Sequence, residues 1–178
     1  ISSTIRPSTG SVWGVHILLA TDADWIVDEV TAALGDDNVH FTVCREGRAV
    51  SRQVAERMPD LAILDLQVGS MGAMAVTMSL RLDESAGVVG HVPVLMLLDR
   101  RADLHLARRS GAEGWLVKPL DALRLRRAAD AIIAGGVYTE GLAADAAPVE
   151  PMVPLPDTAD VAAGQPEKSP EEEPVTAG

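Results

Sequence analysis

Aromatic side chains are scarce in this chain: three Trp, one Tyr and one Phe among 178 residues. A core of the size that this length allows must then be filled by Val, Leu, Ile, Met and Ala. The single cysteine, Cys44, lies in the apolar run Val39 to Cys44. That excludes a disulfide framework and a CxxC metal pattern, and it reads as a buried strand residue rather than a reactive thiol. Positive charge is short as well, with 15 Lys and Arg against 26 Asp and Glu, a net of −11. Such a balance argues against direct nucleic-acid binding. No apolar run approaches the roughly 18 residues of a membrane span. Residues 1–14 lack a basic segment followed by an apolar stretch, so no signal peptide is expected and a reducing cytoplasm is the expected setting. No GxGxxG or GxxxxGK[ST] loop, serine elbow or HExxH pair occurs. The four histidines (His16, His40, His91, His105) are scattered, and each reads as a strand or surface residue.

What the chain does contain is alternation. Leu61-Ala62-Ile63-Leu64 runs directly into Asp65 and a glycine-rich turn. An unbroken apolar run of that length suits a strand buried on both faces of a parallel sheet. Similar runs occupy Val15 to Ala20, Val39 to Cys44, Pro93 to Leu98 and Gly114 to Val117. Helical spacing separates them: Ile26, Val30 and Ala33; Val50, Val54 and Met58; a Met74, Met78, Leu82 stripe expected to be core filler over about 73–84; a short helix over about 102–110; and a last helix from Asp121 to Ala134. Five strands and five helices in strict order predict an α/β domain over 15–140 with a doubly wound parallel sheet. Residues 1–14 are expected to be loose. Residues 141–178 carry most of the prolines and the run Glu171-Glu172-Glu173, and are expected to be a disordered acidic tail.

Three strand ends carry chemistry. Asp22 follows the first strand, Asp65 ends the third, and Lys118 ends the fifth. A doubly wound sheet brings these carboxyl ends to one edge. Two carboxylates held close stay ionised together only around a cation, and Mg²⁺ suits oxygen ligands that leave room for water. Lys118 could balance a second anion such as a phosphoryl group, and an aspartate can carry that group as an acyl phosphate.

Residues 15–134 resemble the receiver domain of two-component response regulators. The resemblance rests on Ile17-Leu18-Leu19-Ala20-Thr21-Asp22, Leu64-Asp65-Leu66, Pro93-Val94-Leu95-Met96-Leu97 and, most strongly, Gly111-Ala112-Glu113-Gly114-Trp115-Leu116-Val117-Lys118-Pro119-Leu120. It implies a flavodoxin-like sheet in the order 2-1-3-4-5. It also implies Asp65 as phosphoacceptor, Lys118 as the phosphoryl contact, and Mg²⁺ held by Asp22, Asp65 and the backbone carbonyl of Gln67. Leu98 and Trp115 fall at the switch positions, and Gln67 and Arg100 lie near those that tune the lifetime of the acyl phosphate. The phosphodonor implied is a histidine kinase or a small molecule, and the chain itself is no enzyme beyond slow autodephosphorylation.

Departures from the pattern are plain. Thr21 replaces one carboxylate of the acidic pair, with Asp24 as a conceivable substitute. Leu98 replaces a Ser or Thr, and Asp99 places a charge where the family has a small residue. Three readings follow: a receiver that accepts phosphate, a phosphorylation-independent pseudo-receiver acting as an interaction module, and another flavodoxin-like protein. With no DNA-binding module visible in the sequence, output is expected through protein contact or a homodimer. A basic surface of Arg108, Arg109, Arg124, Arg126 and Arg127 is the candidate, with the acidic tail folding back on it.

Overall fold

The computed structural model describes residues 14–140. Of the segments expected to be loose, 1–14 and 141–178, all but residue 14 lie outside the described residues, and with them the proposed docking of the tail. Within 14–140 the order is β1 (Val15–Ala20), α1 (Asp24–Leu34), β2 (Val39–Cys44), α2 (Val50–Glu56), β3 (Leu61–Asp65), α3 (Ala73–Ser85), β4 (Val94–Leu98), α4 (Leu104–Ser110), β5 (Gly114–Val117), α5 (Ala122–Ile133) and β6 (Tyr138–Thr139). A single 3₁₀ turn leads into α2 and another into α4. All strands pair in parallel in the order β2-β1-β3-β4-β5-β6. The expected order holds, and a two-residue sixth strand extends it.

The apolar runs explain why β3 and β4 sit centrally. Every residue of both is buried, so both sheet faces need cover. Strand alternation divides the core in two. Leu18, Ala62, Leu64, Met96 and Leu98 face Val50, Val54, Val76 and Leu80 of α2 and α3. Ile17, Leu19, Ile63, Leu95 and Leu116 face Ile26 and Val30 of α1 and Leu125, Ala128 and Ile132 of α5. Register then aligns the strand ends: Ala20 pairs with Leu64, Asp65 with Leu97, and Leu98 with Val117. The residues that follow Ala20, close β3 and follow Val117 therefore share one rim.

One helix is turned from its expected orientation. In α3 the buried positions are Ala73, Val76, Thr77 and Leu80, whereas Met78 and Leu82 are exposed. Both sets have helical spacing. The set of Ala73, Val76, Thr77 and Leu80 faces inward, where α3 also packs against α2 and α4, and Met78 and Leu82 are left outside. Cys44 is buried as expected, and burial raises its thiol pKa, which keeps it protonated. His16 is buried with Nε2 2.9 Å from the Thr42 hydroxyl, and burial holds its pKa below the usual value. Among the described residues no helix is long and apolar enough to cross a membrane.

Candidate functional site

Asp65 closes β3 with 2% of its surface exposed. A buried carboxylate is tolerable only with partners, and it has one on each oxygen. Lys118, carried just past β5, donates from Nζ to Oδ1 at 2.6 Å. Thr21, at the end of β1 and fully buried, donates from its hydroxyl to Oδ2 at 2.9 Å. The Thr21 hydroxyl is itself oriented, since it accepts from the Ala23 N–H at 3.2 Å. The backbone N–H of Gln67 approaches Oδ1 at 3.4 Å. The position expected to be a lost carboxylate is thus a direct, neutral partner of Asp65.

The turn after β3 is anchored from β2. Gly47 N–H donates to the Gly69 carbonyl at 2.9 Å, and Glu46 forms a parallel bridge with Gly69. A side chain on Gly47 would overlap the Met71 carbonyl, so this close approach needs glycine. Asp22 leans over the same turn: a Cβ built on Gly69 would lie 3.4 Å from Asp22 Oδ2. Asp22 is exposed, and Gln67 is exposed on the turn. Two carboxylates, Asp22 and Asp65, and the Gln67 carbonyl therefore flank one turn. That all-oxygen donor set fits a hard divalent cation that keeps part of its water shell. No cluster of three His, Cys, Asp or Glu side chains exists among the described residues, so the carbonyl and water would have to complete such a site. Asp24 does not reach in. Its side chain is exposed and pairs with Arg45 at 2.6 Å.

Lys118 has a second carboxylate. Its Nζ donates to Asp99 Oδ1 at 2.9 Å, with Asp99 partly exposed at 33%. Burial pulls the Lys118 pKa down. The hydrogen bonds and charges of Asp65 and Asp99 outweigh that, and the net shift is upward. The lysine therefore stays charged. Two carboxylates, Asp65 and Asp99, thus share one ammonium. Trp25, in the first turn of α1, places its ring over Lys118, with Nζ 5.6 Å from the ring centroid, and remains half exposed. That geometry is a cation–π contact at the rim. Titrating Mg²⁺ into the chain should change tryptophan emission at millimolar metal, because cation binding beside Asp22 and Asp65 redistributes the charge on which Lys118 is held. A Trp25→Phe variant should lose most of the response.

The two positions expected to act as switches, Leu98 and Trp115, are buried. Leu98 is fully buried in the α2–α3 half of the core, in the cluster that also holds Trp115. Leu98→Thr puts a hydroxyl into this apolar cluster and removes volume. It should cost about 2–4 kcal/mol, measured by urea unfolding. Trp115 is buried at 3% and its indole N–H donates to the Glu140 carbonyl at 3.0 Å. Arg100 is exposed. Of the five arginines expected to offer a basic surface, two also bond within the fold. Arg124 bonds the Val117 and Pro119 carbonyls and Glu140. Arg126 turns to α1 and donates to the Ala33 carbonyl at 2.6 Å. Arg108, Arg109 and Arg127 are exposed.

Sequence reasoning missed three participants: Thr21 as a donor, Asp99 on Lys118, and Glu140 on Trp115 and Arg124. Thr21 and Asp99 had a signal, since each lies beside a strand end. Glu140 had none, because its placement depends on β6.

Comparison with known proteins bears on the family and the fold. A model of the response regulator receiver domain matches residues 17–130. The transcriptional regulatory protein CseB of Streptomyces avermitilis is 31% identical over 108 residues, 60% of this chain and 43% of that protein. The response regulator PleD of Caulobacter vibrioides is 28% identical over 112 residues, 62% of this chain and 24% of that protein. The chain thus spans less than half the length of these curated relatives. Among solved structures, a putative response regulator from Chloroflexus aurantiacus superposes with a TM-score of 0.62 at 19% identity, covering 68% of this chain and 98% of that one. The receiver domain of sensor histidine kinase PA1611 from Pseudomonas aeruginosa, which has a magnesium ion coordinated in its active-site cleft, gives 0.58 at 21%, with the same coverages. These two likenesses concern the fold. With the receiver model spanning most of the described residues, and with acid, lysine and turn gathered at one rim, the chain belongs to the response regulator receiver family.

Proposed function

We propose that residues 15–140 act as a receiver that takes a phosphoryl group on Asp65 and signals by protein contact. The observation that carries this reading is the buried Asp65 carboxylate held between the Lys118 ammonium at 2.6 Å and the Thr21 hydroxyl at 2.9 Å. Thr21 fixes the plane of the carboxylate, so a lone pair of Asp65 can point at an incoming phosphorus. The new bond joins an Asp65 oxygen to phosphorus. The bond that breaks is phosphorus to nitrogen for a histidine-kinase phosphohistidine, or phosphorus to oxygen for acetyl phosphate, whose acetate leaves. Lys118 moves its donors from the carboxylate to the phosphoryl oxygens, since an acyl phosphate carries its negative charge there. Asp22, Asp65 and the Gln67 carbonyl would hold Mg²⁺, which supplies positive charge against the phosphoryl oxygens. Gln67 and Arg100, both exposed, would set the lifetime of the acyl phosphate. The role is that of a phosphoacceptor rather than an enzyme, and Arg108, Arg109 and Arg127 offer exposed contacts for a protein partner or a second copy.

The test is intact mass after acetyl phosphate or phosphoramidate with Mg²⁺, with and without hydroxylamine. A hydroxylamine-labile phosphoryl adduct is expected. An unmodified chain would favour the second reading, an interaction module that works without phosphate. Two observations favour that reading: Asp99 already satisfies Lys118, and Leu98 offers no hydroxyl to a phosphoryl oxygen.

A further inference from the structure

Residues 138–140 close the free edge of β5, and strand pairing is only part of how they do it. The ladder pairs Gly114 with Tyr138 and Trp115 with Thr139, then stops. Beyond it, a side chain takes over. Glu140 Oε2 accepts from the Val117 N–H at 3.2 Å and from Arg124 Nη2. The Glu140 carbonyl accepts from the Trp115 indole at 3.0 Å. The same Arg124 nitrogen donates to the Val117 carbonyl at 3.0 Å. Beside this clasp lies a cavity of about 360 Å³, lined by Arg101, Leu104, Val117, Lys118, Arg124 and Glu140 among others.

We propose that this cavity is a carboxylate-recognition site on the β5 edge, and that its resident ligand is the chain's own Glu140. A two-residue strand is marginal by itself, so the clasp holds the segment down. A guanidinium and a backbone N–H converge on one carboxylate oxygen, an arrangement that selects a charged acceptor. The site has donor capacity to spare: Arg124 Nε is buried without a partner among the described residues, and Arg101 makes no ion pair there. The ligand class that fits is an extended segment that pairs along β5 and presents a carboxylate to Arg124. With Glu140 seated, Trp115 is pinned and the edge is closed. With Glu140 withdrawn, Val117 N–H and Arg124 face a partner strand carrying an acid, the mode by which exposed edges recruit extended peptides. This inference does not depend on phosphorylation.

The test compares the full chain with Glu140→Ala and Glu140→Gln by NMR hydrogen exchange. In Glu140→Ala, the Trp115 indole and the Val117 and Tyr138 amides should exchange about tenfold faster or more, with β1 and β3 amides unchanged. Glu140→Gln, which keeps an acceptor without charge, should fall between. A blocked peptide of the sequence 137–141 should then shift Val117 and Arg124 resonances in Glu140→Ala and leave the parent chain alone. Unchanged protection in Glu140→Ala would overturn the proposal. Loss of protection throughout the sheet would do so as well, because Glu140 would then be a general fold contact. Equal peptide shifts in both chains, or none in either, would also count against it.

Discussion

Asp65→Asn will reduce Mg²⁺-dependent labelling by acetyl phosphate to background and leave the chain folded. The first half follows from chemistry. The amide that replaces the carboxylate has no anionic oxygen with which to attack phosphorus, and among the described residues no other carboxylate is bonded to both an ammonium and a hydroxyl. Asp99 touches Lys118 but is partly exposed, and Asp22 and Asp24 are exposed. The second half follows from the partners. Asn keeps a carbonyl that can accept from Lys118, and Lys118 keeps Asp99. Thr21 can accept from the amide or donate to its oxygen. The expected change in unfolding free energy is therefore small, about 1 kcal/mol in either direction. Labelling by mass spectrometry and urea unfolding of the same preparation separate the two effects. Equal labelling of the parent chain and Asp65→Asn would place the modification elsewhere and remove Asp65 from the chemistry.

How far the sequence reaches is clearest when residues are taken one at a time. The position of Asp65 was legible because four apolar residues before it suit a strand buried on both faces, and the similar runs around it set the alternation that leaves the charge at the strand's end. Lys118 was legible for the same reason at β5. In α3 the pattern was ambiguous. Met74, Met78 and Leu82 have helical spacing, but so do Ala73, Val76, Thr77 and Leu80, and the inner set is chosen by packing against α2 and α4. Which set faces inward is a tertiary effect that a periodicity count does not contain. Thr21 was read as the loss of a charge. The structure shows a gain of a hydroxyl donor, visible only once β1 and β3 are adjacent and in register. Glu140 lies furthest from legibility. Two residues of β6 carry no pattern, and the carboxylate finds Val117 and Arg124 only because the chain returns to β5 after α5.

Lys118→Ala and Asp99→Ala should move acyl-phosphate yield in opposite directions. Lys118 contacts the acceptor directly, donating to Asp65 Oδ1 at 2.6 Å. Without it, Asp65 is a buried carboxylate with only Thr21 and a long Gln67 N–H contact for company. Breaking such a buried pair from one side costs on the order of 3 kcal/mol, and the phosphoryl oxygens lose their donor. Yield should fall by about a hundredfold or more, the equivalent of roughly 3 kcal/mol. Asp99 acts in the other sense. It holds Lys118 at 2.9 Å and adds a negative charge beside the place where phosphoryl charge must accumulate. Its partial exposure screens that charge, so removing it should raise yield by about tenfold rather than by the factor an unscreened pair would give. Combining the substitutions separates the routes. If Asp99 works mainly by occupying Lys118, Asp99→Ala should have little further effect in a Lys118→Ala background. If it works by repelling the phosphoryl group through space, the tenfold gain should persist without the lysine. The hydrogen bond from Lys118 and the outward exposure of Asp99 favour the first route. A Lys118→Ala chain that labels as well as its parent would show that the ammonium over Asp65 is a structural partner alone.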